Sequence, residues 1–131
     1  MTMAAVIKLV GATIAEQVQE KCLAVYNYAR KQAIAKSIII ADTKMEFGLD
    51  KDKLILIDEL LTPDSSRFWD VKLYKVGQSQ PSLDKQPVRD WLTKSGWNKE
   101  PPAPMLPEEV IKSTSRIYRT AYERLTGKKL K

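Results

Sequence analysis

The sequence predicts an α+β fold: a long N-terminal helix, an antiparallel β-hairpin, then C-terminal helices. Three observations predict it. Apolar residues recur at helical spacing from Ile14 to about Ala35. Two short apolar runs, Ile38 to Ala41 and Leu54 to Ile57, flank a turn-forming stretch from Gly48 to Asp52. A second helical stripe runs from Leu106 to Leu125, with Pro107 at its start and Gly127 at its stop. With 131 residues, the chain has the length of one domain, spanning 1–131.

Residues 3–10 form an apolar-rich segment of one or two helical turns, and Gly11 is a plausible stop. Thr13 with Glu16 three residues on reads as a capping box for the long helix. Its apolar stripe is Ile14, Val18, Cys22, Val25, Ala29 and Ala33. The hairpin follows, then a polar loop from Thr62 to Trp69, anchored by Phe68 and Trp69. Asp84 or Ser82 can cap a helix running to about Lys94, and Pro87 is tolerable there only in the first turn. The Pro101-Pro102-Ala103-Pro104 run is a stiff, extended spacer. In the last helix Pro107 fits the first position, and Glu108 and Glu109 suit the positive end of the helix dipole.

The candidate chemistry lies on the hairpin. A strand shows alternate residues on one face, so Asp42, Lys44 and Glu46 are expected to project together. With Lys51 at the turn centre, Lys44 falls roughly opposite Asp58. Glu46 and Asp58 are then diagonal neighbours, about 7–8 Å apart. Two carboxylates this close repel unless a metal or a cationic group sits between them. The Leu-Ile-Leu-Ile run before Asp58 argues for a buried strand whose charges have a task. A solvated hairpin whose charges only blunt its edge is the alternative. Beyond it, Asp64, Ser65, Ser66 and Arg67 place short polar groups beside one guanidinium.

Composition narrows the chemistry. Histidine is absent and Cys22 is the single cysteine, so His triads, His metal sites and thiolate zinc sites are excluded. A lone cysteine also places the chain in a reducing, cytoplasmic setting. A metal here would be held by carboxylates, which favours Mg²⁺, Ca²⁺ or Mn²⁺. The net charge of +6 is diffuse apart from Lys128-Lys129-Leu130-Lys131, with no stripe of Arg alternating with aromatics; small anions suit it equally well, and no nucleic-acid partner is expected. No apolar run reaches the roughly 18 residues of a membrane-spanning helix, so no membrane partner is expected. Paired carboxylates, a lysine between them and a Ser/Arg loop fit metal-assisted phosphoryl transfer, in which protein groups mainly position and neutralise phosphate. The five scattered glycines make no phosphate-cradling loop, so half of a nucleotide site is missing from this pattern.

The run from Ile39 to Gly48, IIADTKMEFG, then Asp58-Glu59 and Thr62 to Trp69, TPDSSRFW, resembles the SAICAR synthetase (phosphoribosylaminoimidazole-succinocarboxamide synthase) family. So do Gln80 to Gln86, Val88 to Leu92 and Pro107 to Val110. The similarity runs from about Leu9 to the end. It implies the C-terminal, ATP-binding part of that fold and a carbon–nitrogen ligase of purine biosynthesis. That ligase joins L-aspartate to carboxyaminoimidazole ribotide through an acyl phosphate, with ATP and Mg²⁺.

By the same resemblance Glu46 and Asp58 are metal ligands, and with Lys44 they contact ATP. Asp42 and Lys44 are catalytic, and Ser66 and Arg67 lie near the ribotide phosphate. Asp64 and Lys85 are weaker carry-overs that help to place ribotide or aspartate. Pro87 departs from the bulky apolar residue usual after Lys-Gln, which touches only local helix geometry. Family members are roughly twice as long, so an N-terminal half carrying the nucleotide loop is the expected partner, or else a second copy of the chain. The isolated chain is expected to have little or no activity. A catalytically silent interaction module on the same fold is the competing expectation; it would be expected to have lost part of the set Asp42, Lys44, Glu46, Asp58 and Arg67.

Overall fold

The computed structural model describes residues 1–130; Lys131, the last residue of the basic tail, lies outside them. In chain order the elements are α1 (Met3–Val10), α2 (Ala12–Ile34), β1 (Ile38–Thr43), β2 (Glu46–Asp50), β3 (Lys53–Ile57), β4 (Ser66–Asp70), α3 (Gln86–Lys94) and α4 (Glu108–Thr126). Helix α1 packs on α2, α2 on β1, and α3 on α4. The α+β class, the helix stops at Gly11 and Gly127 and the long second helix agree with expectation.

The strands differ from expectation in their partners. The first arm of the expected hairpin is two strands, not one. β1 leaves the hairpin to pair antiparallel with β4, inside the stretch read as a polar loop. The local hairpin is β2 with β3, closed by Lys51 and Asp52, both at positive φ. Two central residues in that region match the right-handed twist of the flanking strands, which explains the tight two-residue loop. The register pairs Glu46 with Ile57, one residue away from the alignment that a turn centred on Lys51 gives. The Leu54–Ile57 run is not buried either. Only Leu54 is, while Ile55, Leu56 and Ile57 are each about two-fifths exposed (37%, 39% and 42%).

The core forms where α2, the β1–β4 pair and α4 meet. Ala29, Ala33, Ile38, Ile40, Phe68 and Ala121 are buried together, flanked by Tyr26, Leu61, Leu83 and Leu125. Alanines on α2 and α4 let the helices approach the sheet closely, and Phe68 fills the space between them. Arg124 of α4 ties the corner: its guanidinium donates to Asp70 Oδ2 (2.6 Å) and to the Ser37 carbonyl (2.7 Å). Asp70 is held below the usual carboxylate range, first by the Lys72 backbone N–H and then by Arg124.

Helix ends differ in detail from the sequence expectations. Helix α2 starts at Ala12 behind Gly11, with no side-chain cap, so Thr13 and Glu16 form no capping box. Pro107 stands just outside α4 as its cap residue, and Glu108 is the first helical residue. Asp84 does act at the start of α3, accepting the Gln86 backbone N–H (2.6 Å) on Oδ1 and the Ser82 hydroxyl (2.7 Å) on Oδ2. Pro87 sits in the first turn, where its missing N–H leaves no bond unmade.

Replacing Phe68 with Ala should cost about 3–5 kcal/mol, because its ring is fully enclosed. Leu49→Ala, on the exposed hairpin, should change stability by no more than about 0.5 kcal/mol. Urea denaturation of the two variants checks the contrast.

Candidate functional site

The site is built by an irregularity in β1. Ile38 and Ile40 point into the core, and strict alternation would send Asp42 in after them. Instead Ala41 is an extra residue: Ile40 pairs with Phe68 but Asp42 pairs with Arg67. A bulge of this kind flips the alternation. Asp42 therefore emerges on the exposed face directly across from Arg67, whose Nε donates to its carboxylate at 2.8 Å. The Tyr26 hydroxyl donates to the Ile40 carbonyl at 2.8 Å, satisfying it at the kink. One step further Thr43 faces Ser66, and the Ser66 hydroxyl lies 2.9 Å from the Thr43 hydroxyl.

The chain before β4 is fixed by its own side chains. Ser65 Oγ accepts the Thr62 N–H (3.2 Å), and Thr62 Oγ1 accepts the Ser65 N–H (3.3 Å). The Lys44 N–H then donates to the Ser65 carbonyl at 2.8 Å, extending the β1–β4 ladder by one rung. On the far side of β4, Leu83 N–H donates to the Phe68 carbonyl at 2.7 Å. That contact and buried Asp84 set the start of α3, so Lys85 reaches Asp64 at 2.7 Å.

These elements enclose a polar cleft of about 680 Å³, lined by Asp42, Thr43, Lys44, Asp64, Ser66, Arg67 and Lys85, with Glu59, Ser65 and Arg89 completing it. Beside it the Lys44 ammonium lies 2.6 Å from Glu46 Oε1 and 3.7 Å from Asp58 Oδ2. The expected juxtaposition of Glu46 and Asp58 around a cation is therefore present, with lysine as the cation. Asp42 and Lys44 both line the cleft, but their partners differ: Asp42 is paired with Arg67, whereas Lys44 is paired with Glu46 and Asp58. Asp58 follows β3 at φ 65°, a left-handed conformation that Asp tolerates better than most residues and that takes the chain out of the ladder.

Asp42 and Arg67 form a matched pair, while Lys44 is shared by two carboxylates. The Arg67 hydrogen bond, ahead of every other influence, holds Asp42 below the usual carboxylate range, and Arg67 is raised in turn. Lys44 is raised by its bond to Glu46. Asp58 is lowered first by hydrogen bonding with its neighbour Glu59, with Lys44 adding to it, while Glu59 is raised by Asp58. Adjacent acids ionise unequally in this way because like charges resist sharing one place.

The donor set fits a hard cation that also binds phosphate. Among the described residues no three His, Cys, Asp or Glu side chains gather into a complete protein cage. Mg²⁺ commonly takes one or two carboxylates and fills its shell with water and substrate phosphate, and Glu46 and Asp58, gathered on Lys44, are the carboxylates that would hold it.

The cleft also contains four residues that motif reasoning did not single out for roles: Thr43, Glu59, Ser65 and Arg89. Arg89 had a legible signal. It lies four residues after Lys85, one helical turn on, and its N–H donates to the Lys85 carbonyl at 3.2 Å. Thr43 had none, because its partner Ser66 is set by a long-range strand pairing.

The family model described as SAICAR synthetase matches residues 1–104. The phosphoribosylaminoimidazole-succinocarboxamide synthase of Haemophilus influenzae is 56% identical over 120 residues, covering 91% of this chain and 41% of that protein. That of Methylobacillus flagellatus is 55% identical over 122 residues, again covering 41% of the relative. A solved SAICAR synthase from Saccharomyces cerevisiae, in complex with SAICAR, superposes with a TM-score of 0.84 at 45% identity, over 99% of this chain and 44% of that one. A type-2 SAICAR synthetase in complex with ADP gives 0.68 at 29% identity, over 98% of this chain and 44% of that one. The chain thus spans about two-fifths of the length of the relatives it matches.

Because its folded pKa is depressed, Asp42 adds stability above the ordinary Asp pKa, and that contribution is lost as pH falls through its folded pKa. An NMR pH titration should place its midpoint below the ordinary value of about 3.9. In Arg67→Gln the midpoint should return towards that value.

Proposed function

Because the chain belongs to the SAICAR synthetase family, we propose that it supplies the cation-binding and anion-gripping part of an ATP-dependent carbon–nitrogen ligase. The overall reaction is the joining of L-aspartate to carboxyaminoimidazole ribotide, with release of ADP and phosphate. The observation that carries this reading is the Lys44 ammonium between Glu46 and Asp58, at the lip of a cleft holding Arg67, Ser66 and Lys85.

In this reading the γ-phosphoryl group of ATP passes to a carboxylate oxygen of the ribotide, leaving ADP and an acyl phosphate. The aspartate amine attacks the acyl carbon, phosphate leaves, and an amide remains. Glu46 and Asp58 hold Mg²⁺, which when bound neutralises nucleotide phosphate charge. Lys44 offsets charge that develops on the transferred group. Arg67 and Ser66 grip the ribotide phosphate, with Arg67 kept in orientation by Asp42. Lys85 and Asp64, paired to each other across the cleft, help to place ribotide or aspartate, and Arg89 adds positive charge on the same wall. A nucleotide-loop segment is supplied by a family N-terminal half. A cytoplasmic setting belongs to the same proposal.

A coupled ADP-release assay with ATP, Mg²⁺, carboxyaminoimidazole ribotide and L-aspartate tests it, on the chain alone and with a family N-terminal half added. Activity is expected only on mixing, and Glu46→Ala or Asp58→Ala should lower it by about a hundredfold or more. Silence in the mixture, with the added half shown to bind and fold, would favour the interaction-module account instead.

A further inference from the structure

Lys44 belongs to two neighbourhoods at once. Its ammonium sits between Glu46 and Asp58, where the proposed function puts a divalent cation, while its residue also lines the cleft with Arg67, Lys85 and Arg89. An ammonium and a divalent cation cannot share that place, so one excludes the other. We propose that Lys44 is a tethered stand-in cation: it holds Glu46 and Asp58 together until a divalent cation arrives, then turns into the cleft and strengthens anion binding there. The inference rests on the reading of Glu46 and Asp58 as cation ligands.

Three observations support the movement. The Lys44 backbone is pinned, its N–H bonded to the Ser65 carbonyl at 2.8 Å, so a rearrangement is confined to the side chain. That side chain is 60% exposed, so its ion pairs are weakened by water and readily exchanged. The direction of the swing is also restricted. The other hollow that Lys44 lines, with Cys22, Leu23, Tyr26 and Met45, is largely apolar and would charge a desolvation cost to an ammonium, and its one acid, Asp42, is already paired with Arg67.

The cleft is the polar alternative, and its other charges balance: Glu59 and Arg89, which also line it, have no ion-pair partner among the described residues and offset each other in sign. Asp42 is paired with Arg67, and Asp64 with Lys85. A displaced ammonium therefore adds positive charge to the cleft with little new acid to cancel it. An anion held there would be favoured by the cation, and by thermodynamic reciprocity the cation by the anion.

The test uses this chain with Mg²⁺ as the cation probe and sulfate as the anion probe. NMR of the lysine side chains and isothermal titration are applied to the wild type, Lys44→Met and Lys44→Gln. Lys53→Met, an exposed lysine outside the site, controls for net charge, and backbone amide spectra confirm that each variant is folded. In the wild type, Mg²⁺ should shift the Lys44 side-chain signals and tighten sulfate binding. Both Lys44 variants should bind Mg²⁺ about fivefold more tightly than the Lys53 control and lose the Mg²⁺ effect on sulfate. Equal or weaker Mg²⁺ binding in the Lys44 variants, with Lys44 signals unmoved in the wild type, overturns the stand-in role and leaves the cation ligands standing. Absence of Mg²⁺ binding in every variant overturns both.

Discussion

The extra residue at Ala41 is the constraint on which the rest depends. Upstream of it, β1 is a core strand, with Ile38 and Ile40 sealed against Phe68 and the alanines of α2 and α4. Downstream it is a wall of a polar cleft. With regular alternation Asp42 would follow Ile40 inward, and an ionised carboxylate in that core would carry a large desolvation cost. The bulge turns the charge outward onto Arg67, and the Tyr26 hydroxyl satisfies the carbonyl left at the kink. Core packing and site geometry are thus set by the same six-residue strand.

The sequence made helices legible and strand partners illegible. Helical periodicity and punctuation are local, so α1, α2 and α4 and their stops at Gly11 and Gly127 follow from neighbouring residues alone. Strand pairing is not local. Ile39 meets Trp69, thirty residues on, and no periodicity in either segment names the other. The polar residues Ser66 and Arg67 disguised β4 as a loop, although its buried Phe68 gives it a core position. The apolar run in β3 misleads for a further reason. Hydrophobic content reports a preference for burial, and within residues 1–130 only Leu54 of that run finds it.

For the candidate site, residue identity was more legible than grouping. Motifs brought forward Asp42, Lys44, Glu46, Asp58, Asp64, Ser66, Arg67 and Lys85. The structure sorts the charged ones into two ion pairs, Asp42 with Arg67 and Asp64 with Lys85, and one triad, Lys44 with Glu46 and Asp58, and sets Ser66 against Thr43. That sorting depends on the bulge and on the chain before α3 being hung from β4 through Ser82 and Leu83, neither of which spacing encodes. An anion entering the cleft must compete with carboxylates for Arg67 and Lys85, whereas Arg89 has no acidic partner among the described residues.

The two sides of the site rest on supports of very different firmness. Ser66 and Arg67 stand on β4, which is braced by β1, by the 82–84 segment and by the core beneath Phe68. Glu46 stands on, and Asp58 directly follows, a two-stranded ribbon with one buried side chain, and such ribbons are marginal by themselves. Amide hydrogens of β2 and β3 should therefore exchange with solvent through frequent local opening, while those of β1 and β4 wait for rarer, wider unfolding. The molecule thus has a gradient of firmness, with a stiff anvil on the anion side and a compliant jaw on the cation side.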